Sequence, residues 1–456
     1  MFLAFPPIFN LASFFYRKKI VLFFAFTFLA FFLPQKIYGA WPAYQGNSQA
    51  NGVSSDAGPV NMEVKWTFTG DVGLYDYQVP LVDDEGTAYV IKTPIRSYFT
   101  NEIYAIKKDG SVKWKTEKDE DFGVTHMAYS DKGIVYLRDN ATYERRKIRD
   151  RATYITALSA KDGSLLWRRQ IDKNYSQYWI PAMTVDSKGR VFITAADSIS
   201  LYTHEGERLW SFKVSGSAKL VSTEVTSPVL SNDEKTVYFI RRSGAFYALD
   251  ADTGRVRWIE RSRVYNTTYG TPVVGPDDTI YFANSATGKM TAFSPKGKVK
   301  WEEGFTSTEG ETEYTYFMEE SVPVIADGTI YLGVVSDFIR QAYFIALNAK
   351  TGKLKWKLKL EKGLFLNSAP IVDKDGFIYM PYGNGRVYRI SSKGKIIESV
   401  LVGKEVTRTK NGDTESVTPN TQFYNSGMAL TKDGLYVVTG EGLPKPGTSL
   451  SLIGSK

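Results

Sequence analysis

The stretch Phe246-Tyr247-Ala248-Leu249-Asp250-Ala251-Asp252-Thr253-Gly254-Arg255-Val256-Arg257-Trp258 decides the fold. An apolar run ends at Asp250, a turn forms around Thr253-Gly254, and a second run reaches Trp258, which reads as a β-hairpin. The same pattern returns as Phe344-Ile345-Ala346-Leu347-Asn348, Thr351-Gly352 and Trp356. A Trp following a turn Gly recurs at Trp114, Trp167, Trp210, Trp258, Trp301 and Trp356, behind Gly110, Gly163, Gly206, Gly254, Gly297 and Gly352. Copies spaced by roughly fifty residues suit a four-stranded module. A seventh copy places Glu398 after Gly394 where Trp is expected, so that unit lacks its aromatic wedge.

A different hairpin precedes each of these. Val79-Pro80-Leu81-Val82 leads through Asp84-Glu85-Gly86 to Ala88-Tyr89-Val90, and Ala369-Pro370-Ile371-Val372 leads through Asp375-Gly376 to Ile378-Tyr379-Met380. Near the C-terminus, Met428-Ala429-Leu430, Asp433-Gly434 and Leu435-Tyr436-Val437-Val438 begin an eighth unit, and Ser449-Leu450-Ser451-Leu452-Ile453 supplies its third strand. The fourth is missing there, whereas Glu63-Val64-Lys65-Trp66-Thr67-Phe68 carries the Trp without a preceding hairpin. Pairing these ends removes two open sheet edges. The expectation is an all-β, eight-bladed β-propeller of four-stranded antiparallel blades over residues 41–456, with the N-terminal strand closing the last blade.

Composition agrees. The 456 residues are 43% hydrophobic and 14% aromatic, and they include no Cys. That excludes disulfides, thiolate metal sites, Cys nucleophiles and lipid attached through a Cys. Residues 1–40 stand apart: Arg17, Lys18 and Lys19 precede the apolar run Ile20 to Leu33, which is shorter than the roughly 20 residues that span a bilayer. This is the layout of a secretory signal. An uncleaved membrane anchor is the alternative, because Phe2 to Phe15 is also apolar and Tyr38 is bulky near the expected cut. Arg17, Lys18, Lys19 and Lys36 account for half of the net charge of +8, so nucleic acid is not an expected partner.

The string Ala248-x-Asp250-x-x-Thr253-Gly254-x-x-x-Trp258, echoed with Asn348 before Trp356, resembles the pyrroloquinoline-quinone (PQQ) type β-propeller repeat. The resemblance covers essentially all of 41–456. It implies that Trp66, Trp114, Trp167, Trp210, Trp258, Trp301 and Trp356 wedge between neighbouring blades. Function is implied less narrowly, since the family includes quinone-dependent alcohol and glucose dehydrogenases, non-catalytic outer-membrane assembly lipoproteins, and exported or anchored proteins. The alcohol dehydrogenases carry an adjacent Cys pair, impossible here, and no stretch matches their calcium-ligand segments. No catalytic residue, metal or cofactor is therefore expected. The expected activity is that of an exported, secreted or envelope-associated, monomeric platform for a protein or cell-envelope polymer. A quinoprotein-type oxidoreductase using PQQ with calcium, or a carbohydrate-active enzyme, is the alternative.

Ligands of propellers meet the axis, where the innermost strands begin. Counting back from those strand starts gives a candidate mouth of Tyr77, Gln78, Thr125, His126, Tyr178, Trp179, Thr226, Tyr269, Glu320, Ser321, Asn367, Ser368, Asn425 and Ser426. Aromatic, amide and hydroxyl groups suit planar or sugar-like ligands, although the same residues could simply cap each blade. Of the two His, His204 reads as an exposed turn residue. The insertion Asp139 to Arg151 reads as a solvated, basic loop, Glu302 to Glu320 as an acidic counterpart, and Gly403 to Tyr424 as a polar loop.

Overall fold

The computed structural model describes residues 40–456 except 70–78, 93–101, 117–122, 141–142, 145–146, 149–151, 173–182, 196, 215–224, 242–243, 262–270, 285–286, 310–311, 318–321, 337–340, 363–368, 403–406, 412–413, 419–426 and 441–447. Of the expected signal or anchor, 1–39 lies outside the described residues.

Eight antiparallel sheets follow one another along the chain. Blade 1 is Leu81–Val82, Ala88–Lys92, Glu102–Ile106 and Val112–Lys115, and blade 2 is Gly123–Ser130, Ile134–Asn140, Thr153–Ser159 and Leu165–Asp172. Blade 3 is Met183–Val185, Val191–Ala195, Ser198–Tyr202 and Arg208–Lys213, and blade 4 is Val229–Leu230, Thr236–Arg241, Ala245–Asp250 and Val256–Glu260. Blade 5 is Val273–Val274, Ile280–Asn284, Lys289–Phe293 and Val299–Gly304, and blade 6 contains Val324–Ala326, Thr329–Ser336, Gln341–Asn348 and Leu354–Lys362. Blade 7 is Ile371–Val372, Ile378–Tyr382, Arg386–Ile390 and Ile396–Leu401. Blade 8 takes Met428–Thr431, Gly434–Gly440 and Thr448–Ser455 from one end of the chain and Met62–Thr69 from the other. In that closing pair Trp66 lies opposite Leu452 and Phe68 opposite Leu450, as the sequence leads one to expect. The inner strand of blade 8 lies beside that of blade 1, which completes the ring.

Local chemistry makes these hairpins. The Oδ1 atom of Asp83 accepts the amides of Glu85 (3.0 Å) and Thr87 (2.8 Å), and Asp373 does the same for Asp375 and Phe377. Such side-chain capping sets the turn between the first two strands. Between the last two strands, Asp250 accepts the Thr253 amide and hydroxyl, and Gly254 takes φ +70°. Glycine is required there twice over, because a Cβ would also sit 2.8 Å from the ring of Trp210 in the preceding blade.

That contact is the inter-blade wedge. Each Trp lies on the turn glycine of the next blade and donates its Nε1–H to a carbonyl there: Trp210 to Ala251 (3.1 Å), Trp258 to Pro295 (2.8 Å), Trp356 to Ser392 (2.8 Å). Trp66, Trp114, Trp167 and Trp301 repeat it onto Lys108, Ala160, His204 and Ala349. A large ring thus buries apolar area while its one polar group is satisfied. An aromatic of the second strand backs it in its own blade, as Tyr89 does for Trp114 and Tyr331 for Trp356.

Three insertions differ from their sequence reading. Asp139 is not in a solvated loop: it lies in the second strand of blade 2, which runs to Asn140, and is fully buried, and among the described residues beyond it Tyr143–Glu144 pairs with Lys147–Ile148. Glu302 and Glu303 belong to the outer strand of blade 5, and Thr306–Glu309 with Thr312–Phe317 forms a hairpin that extends the sheet of blade 6 through Tyr316 and Phe317. The segment read as a polar loop, Gly403 to Tyr424, includes a hairpin of Thr407–Asn411 with Thr414–Thr418.

Candidate functional site

The axis is where the blades converge, and at one end of it lies the chain's own N-terminal segment. Residues 41–56 cross the ends of the inner strands on the face that carries the Asp83 and Asp373 turns. Six amides from six blades donate to carbonyls of this strap. Val82 bonds Trp41 O (3.1 Å), Tyr129 bonds Pro42 O (2.7 Å) and Leu230 bonds Ser48 O (2.7 Å). Val274 bonds Gln49 O (3.0 Å), Ile325 bonds Asn51 O (3.1 Å) and Val372 bonds Gly52 O (3.0 Å). Trp41 N and Ser54 N return bonds to Val82 O and Val372 O, and the Ser54 hydroxyl donates to Leu430 O in blade 8. Trp41, Ala43, Gln45 and Ala50 are buried. The strap is unusual in backbone: Gln45 and Ala50, neither of them Gly, take φ of 62° and 53°. Left-handed conformations at such residues persist where surroundings enforce them.

From Ser54 the chain runs outward over blade 7 to the closing strand. Gly58 N donates to Asp373 Oδ2, and Tyr379 donates its hydroxyl to Pro59 O (3.1 Å). Burial pushes the Tyr379 phenol well above its ordinary pKa. At the strand start, Glu398 accepts the amides of Asn61 (3.2 Å) and Met62 (2.9 Å) and an Arg389 guanidinium N–H (3.3 Å). Glu398 holds the place of the missing Trp. The reason is the seam: the third and fourth strands of blade 8, Thr448–Ser455 and Met62–Thr69, are not consecutive and have no turn between them, and the Lys456 amide donates to Asn61 O there. No turn glycine is there to receive an indole, and the freed amides call for a carboxylate.

The opposite mouth is the one expected from sequence. Tyr77, Gln78, Tyr178, Trp179, Tyr269, Glu320, Ser321, Asn367, Ser368, Asn425 and Ser426 lie outside the described residues. Thr125 is the extra residue of a bulge in the inner strand of blade 2. Thr226 spends its hydroxyl inside blade 4, accepting from Ile240 N (3.0 Å) and donating to Ser227 O. His126 is buried within its strand rather than ahead of it, opposite the equally buried Arg138. Beside them Asp139 receives the Thr156 hydroxyl and an Arg168 N–H, both at 2.5 Å, while Arg168 lies over the Tyr154 ring. Burial raises the Asp139 carboxyl above its ordinary pKa, against the pull of Arg168. His204 is part-exposed, 2.8 Å from Glu205. Among the described residues, no group of three or more Asp, Glu or His side chains is placed to hold a metal.

A ring of blades locked by Trp on glycine, closed by the chain's own N-terminal strand, defines a β-propeller of the PQQ-repeat class. The family described as outer membrane protein assembly factor BamB matches residues 99–268, 151–393 and 270–442, and the chain belongs to it. Outer membrane protein assembly factor BamB of Yersinia pestis is 21% identical over 54% of this chain and 61% of its own length. That of Moranella endobia is 23% identical over 57% and 66%. The chain thus spans about two thirds or less of the curated relatives it matches. Among solved structures, BamB from Moraxella catarrhalis aligns with TM-score 0.56 and 16% identity, covering 86% of this chain and 99% of that one. A europium-containing methanol dehydrogenase aligns at 0.64 and 14%, covering 92% and 99%. Quinohemoprotein alcohol dehydrogenase from Comamonas testosteroni aligns at 0.62 and 14%, covering 92% and 81%. At these identities the structures share the fold.

Proposed function

We propose that the protein is an exported, non-catalytic propeller that binds protein partners at the cell envelope and serves in the assembly of outer-membrane proteins. The observation that carries this is on the rim. Exposed apolar side chains recur at the head of the outermost strands: Val112 in blade 1, Leu165 and Leu166 in blade 2, Leu209 in blade 3, Val256 in blade 4, Leu354 in blade 6, Ile396 and Ile397 in blade 7. Outermost strands also offer unpaired backbone groups, and apolar side chains beside them suit an incoming polypeptide edge. The names of the relatives point the same way. With no Cys to carry lipid, contact with a membrane rests on residues 1–40.

Capture of partners from native envelope extracts tests this. A Leu165→Lys/Leu166→Lys variant stays folded, because both side chains face solvent, and loses a protein that the wild-type chain retains. Equal capture by both contradicts rim binding. The alternative, a quinoprotein-type oxidoreductase or carbohydrate-active enzyme, draws on the fold shared with the dehydrogenases and on the buried His126 near the mouth. Sustained dye reduction with added PQQ and calcium over alcohols and sugars would replace the platform reading.

A further inference from the structure

We propose that the axial end of the inner strands is a polypeptide-binding site, filled in cis by residues 41–56, and that another segment able to take the same looped path, with its turn at Tyr44–Gly46, enters it by displacing this strap. The inference stands apart from the envelope-assembly reading, which the rim variants test.

The donors define the ligand class. Six amides, each from the inner strand of a different blade, reach carbonyls spread from Trp41 to Gly52. Donors so distributed fit a row of peptide carbonyls rather than one compact anion, and they read the backbone without regard to side chains. Side-chain bonds to the blades are few, Gln49 Nε2 donating to Ser231 O (3.2 Å) and the Ser54 hydroxyl to Leu430 O (3.0 Å), and further demands come from close approaches. A Cβ on Gly46 would lie 2.8 Å from the Trp41 ring, and one on Gly52 would lie 2.5 Å from Val324 Cγ2.

The cis occupant also fits imperfectly, which is what makes exchange possible. Trp41 Nε1 and Gln45 Nε2 are buried without an acceptor among the described residues. Gln45 and Ala50 are held in left-handed backbone. Each of these costs free energy that a better-matched segment would not incur. Tethering favours the strap nonetheless, since a short linker gives it an effective concentration of order mM.

The chain's lack of Cys makes the experiment clean. In full-length protein carrying Ala50→Cys, the buried thiol reports the strap, and Val112→Cys, on the exposed rim, sets the open rate. A fluorescein-labelled peptide of the sequence of residues 40–57 is the probe. Wild-type chain is expected to bind it at least about tenfold more weakly than a Gly52→Val chain, whose strap is pushed off Val324. The same peptide with Gly52 replaced by Val is expected not to bind either chain. In the otherwise unchanged Ala50→Cys chain, thiol labelling is expected to accelerate as unlabelled peptide is raised toward about 1 mM. The proposal is overturned if Ala50→Cys labels freely in the Gly52→Val chain yet peptide binding does not improve. It is equally overturned if labelling of Ala50→Cys stays flat throughout the titration, a readout that holds even if Gly52→Val fails to fold.

Discussion

Replacing Glu398 by Trp restores the repeat pattern of the other blades, and repeat averaging would therefore call it stabilising. The seam predicts the opposite. Glu398 accepts the Met62 amide at 2.9 Å and the more exposed Asn61 amide at 3.2 Å, and it pairs with Arg389, whose side chain is only 11% exposed. A buried hydrogen bond to a charged group contributes about 1.5–3 kcal/mol, and leaving Arg389 without its carboxylate adds about 1 kcal/mol. The exposed Asn61 bond adds little. An indole finds no turn glycine to cover, so it recovers none of this, and Glu398→Trp should cost about 2–4 kcal/mol. With unfolding entropy near 2.1 cal/mol/K per residue, the ring loses roughly 1 °C of Tm per kcal/mol, hence about 2–4 °C. Calorimetry reads the shift, and hydrogen exchange of the Met62 amide reads its location. Glu398→Gln, which keeps an acceptor, should fall between. A Glu398→Trp protein as stable as wild type, with Met62 still protected, would refute the seam argument.

Other consequences are simpler. Trp258→Ala removes a wedge, its bond to Pro295 and its edge contact with Phe246, so it should cost about 3–5 kcal/mol, read as a fall in denaturation midpoint; a loss under 1 kcal/mol would contradict the wedge. Asp139 has its pKa raised by burial, so the folded chain holds its proton over a window in which the unfolded chain has released it. Stability from this group therefore falls as pH rises from about 4 through the raised value, and Asp139→Asn should remove that slope from Tm measured between about pH 4 and 7. Parallel profiles would count against it. Gly254→Ala places a Cβ 2.8 Å from Trp210 in a left-handed turn, so it should cost at least about 1–2 kcal/mol in the same midpoint assay, whereas a neutral outcome would mean that the wedge yields.

The blades were legible because their signals are local and side-chain borne. Asp250, Gly254 and Trp258 sit within one hairpin, and six Gly–Trp copies, a seventh with Glu398 and the unit split between Trp66 and Ile453 give the count of eight. Closure was legible too, since Glu63 to Phe68 and Ser449 to Ile453 are each half of a known unit. The strap was not. Its bonds run through backbone carbonyls from Trp41 to Gly52, which leave no pattern of residue types. The hairpins of 306–317 and 407–418 escaped because their Thr- and Glu-rich runs carry few apolar residues, although the alternating Tyr314 and Tyr316 and the Asn411-Gly412 turn pair are signals for them, and Asp139 escaped because a charge beside an Arg cluster reads as surface. Within the strap, Gln45 and Ala50 take positive φ at positions where no sequence rule places it. Of the expected mouth, Thr125, His126 and Thr226 are described, and Thr226 serves its own blade.

The central claim is that the two ends of the chain close one ring. Thr67 lies opposite Ser451, their hydroxyls 2.9 Å apart, in a chain free of other thiols. Oxidising a Thr67→Cys/Ser451→Cys variant and mapping its peptides by mass spectrometry should give one intramolecular disulfide in near-quantitative yield, with the monomer retained. Free thiols, or disulfides only between chains, would mean that the last blade is not closed by the N-terminal strand.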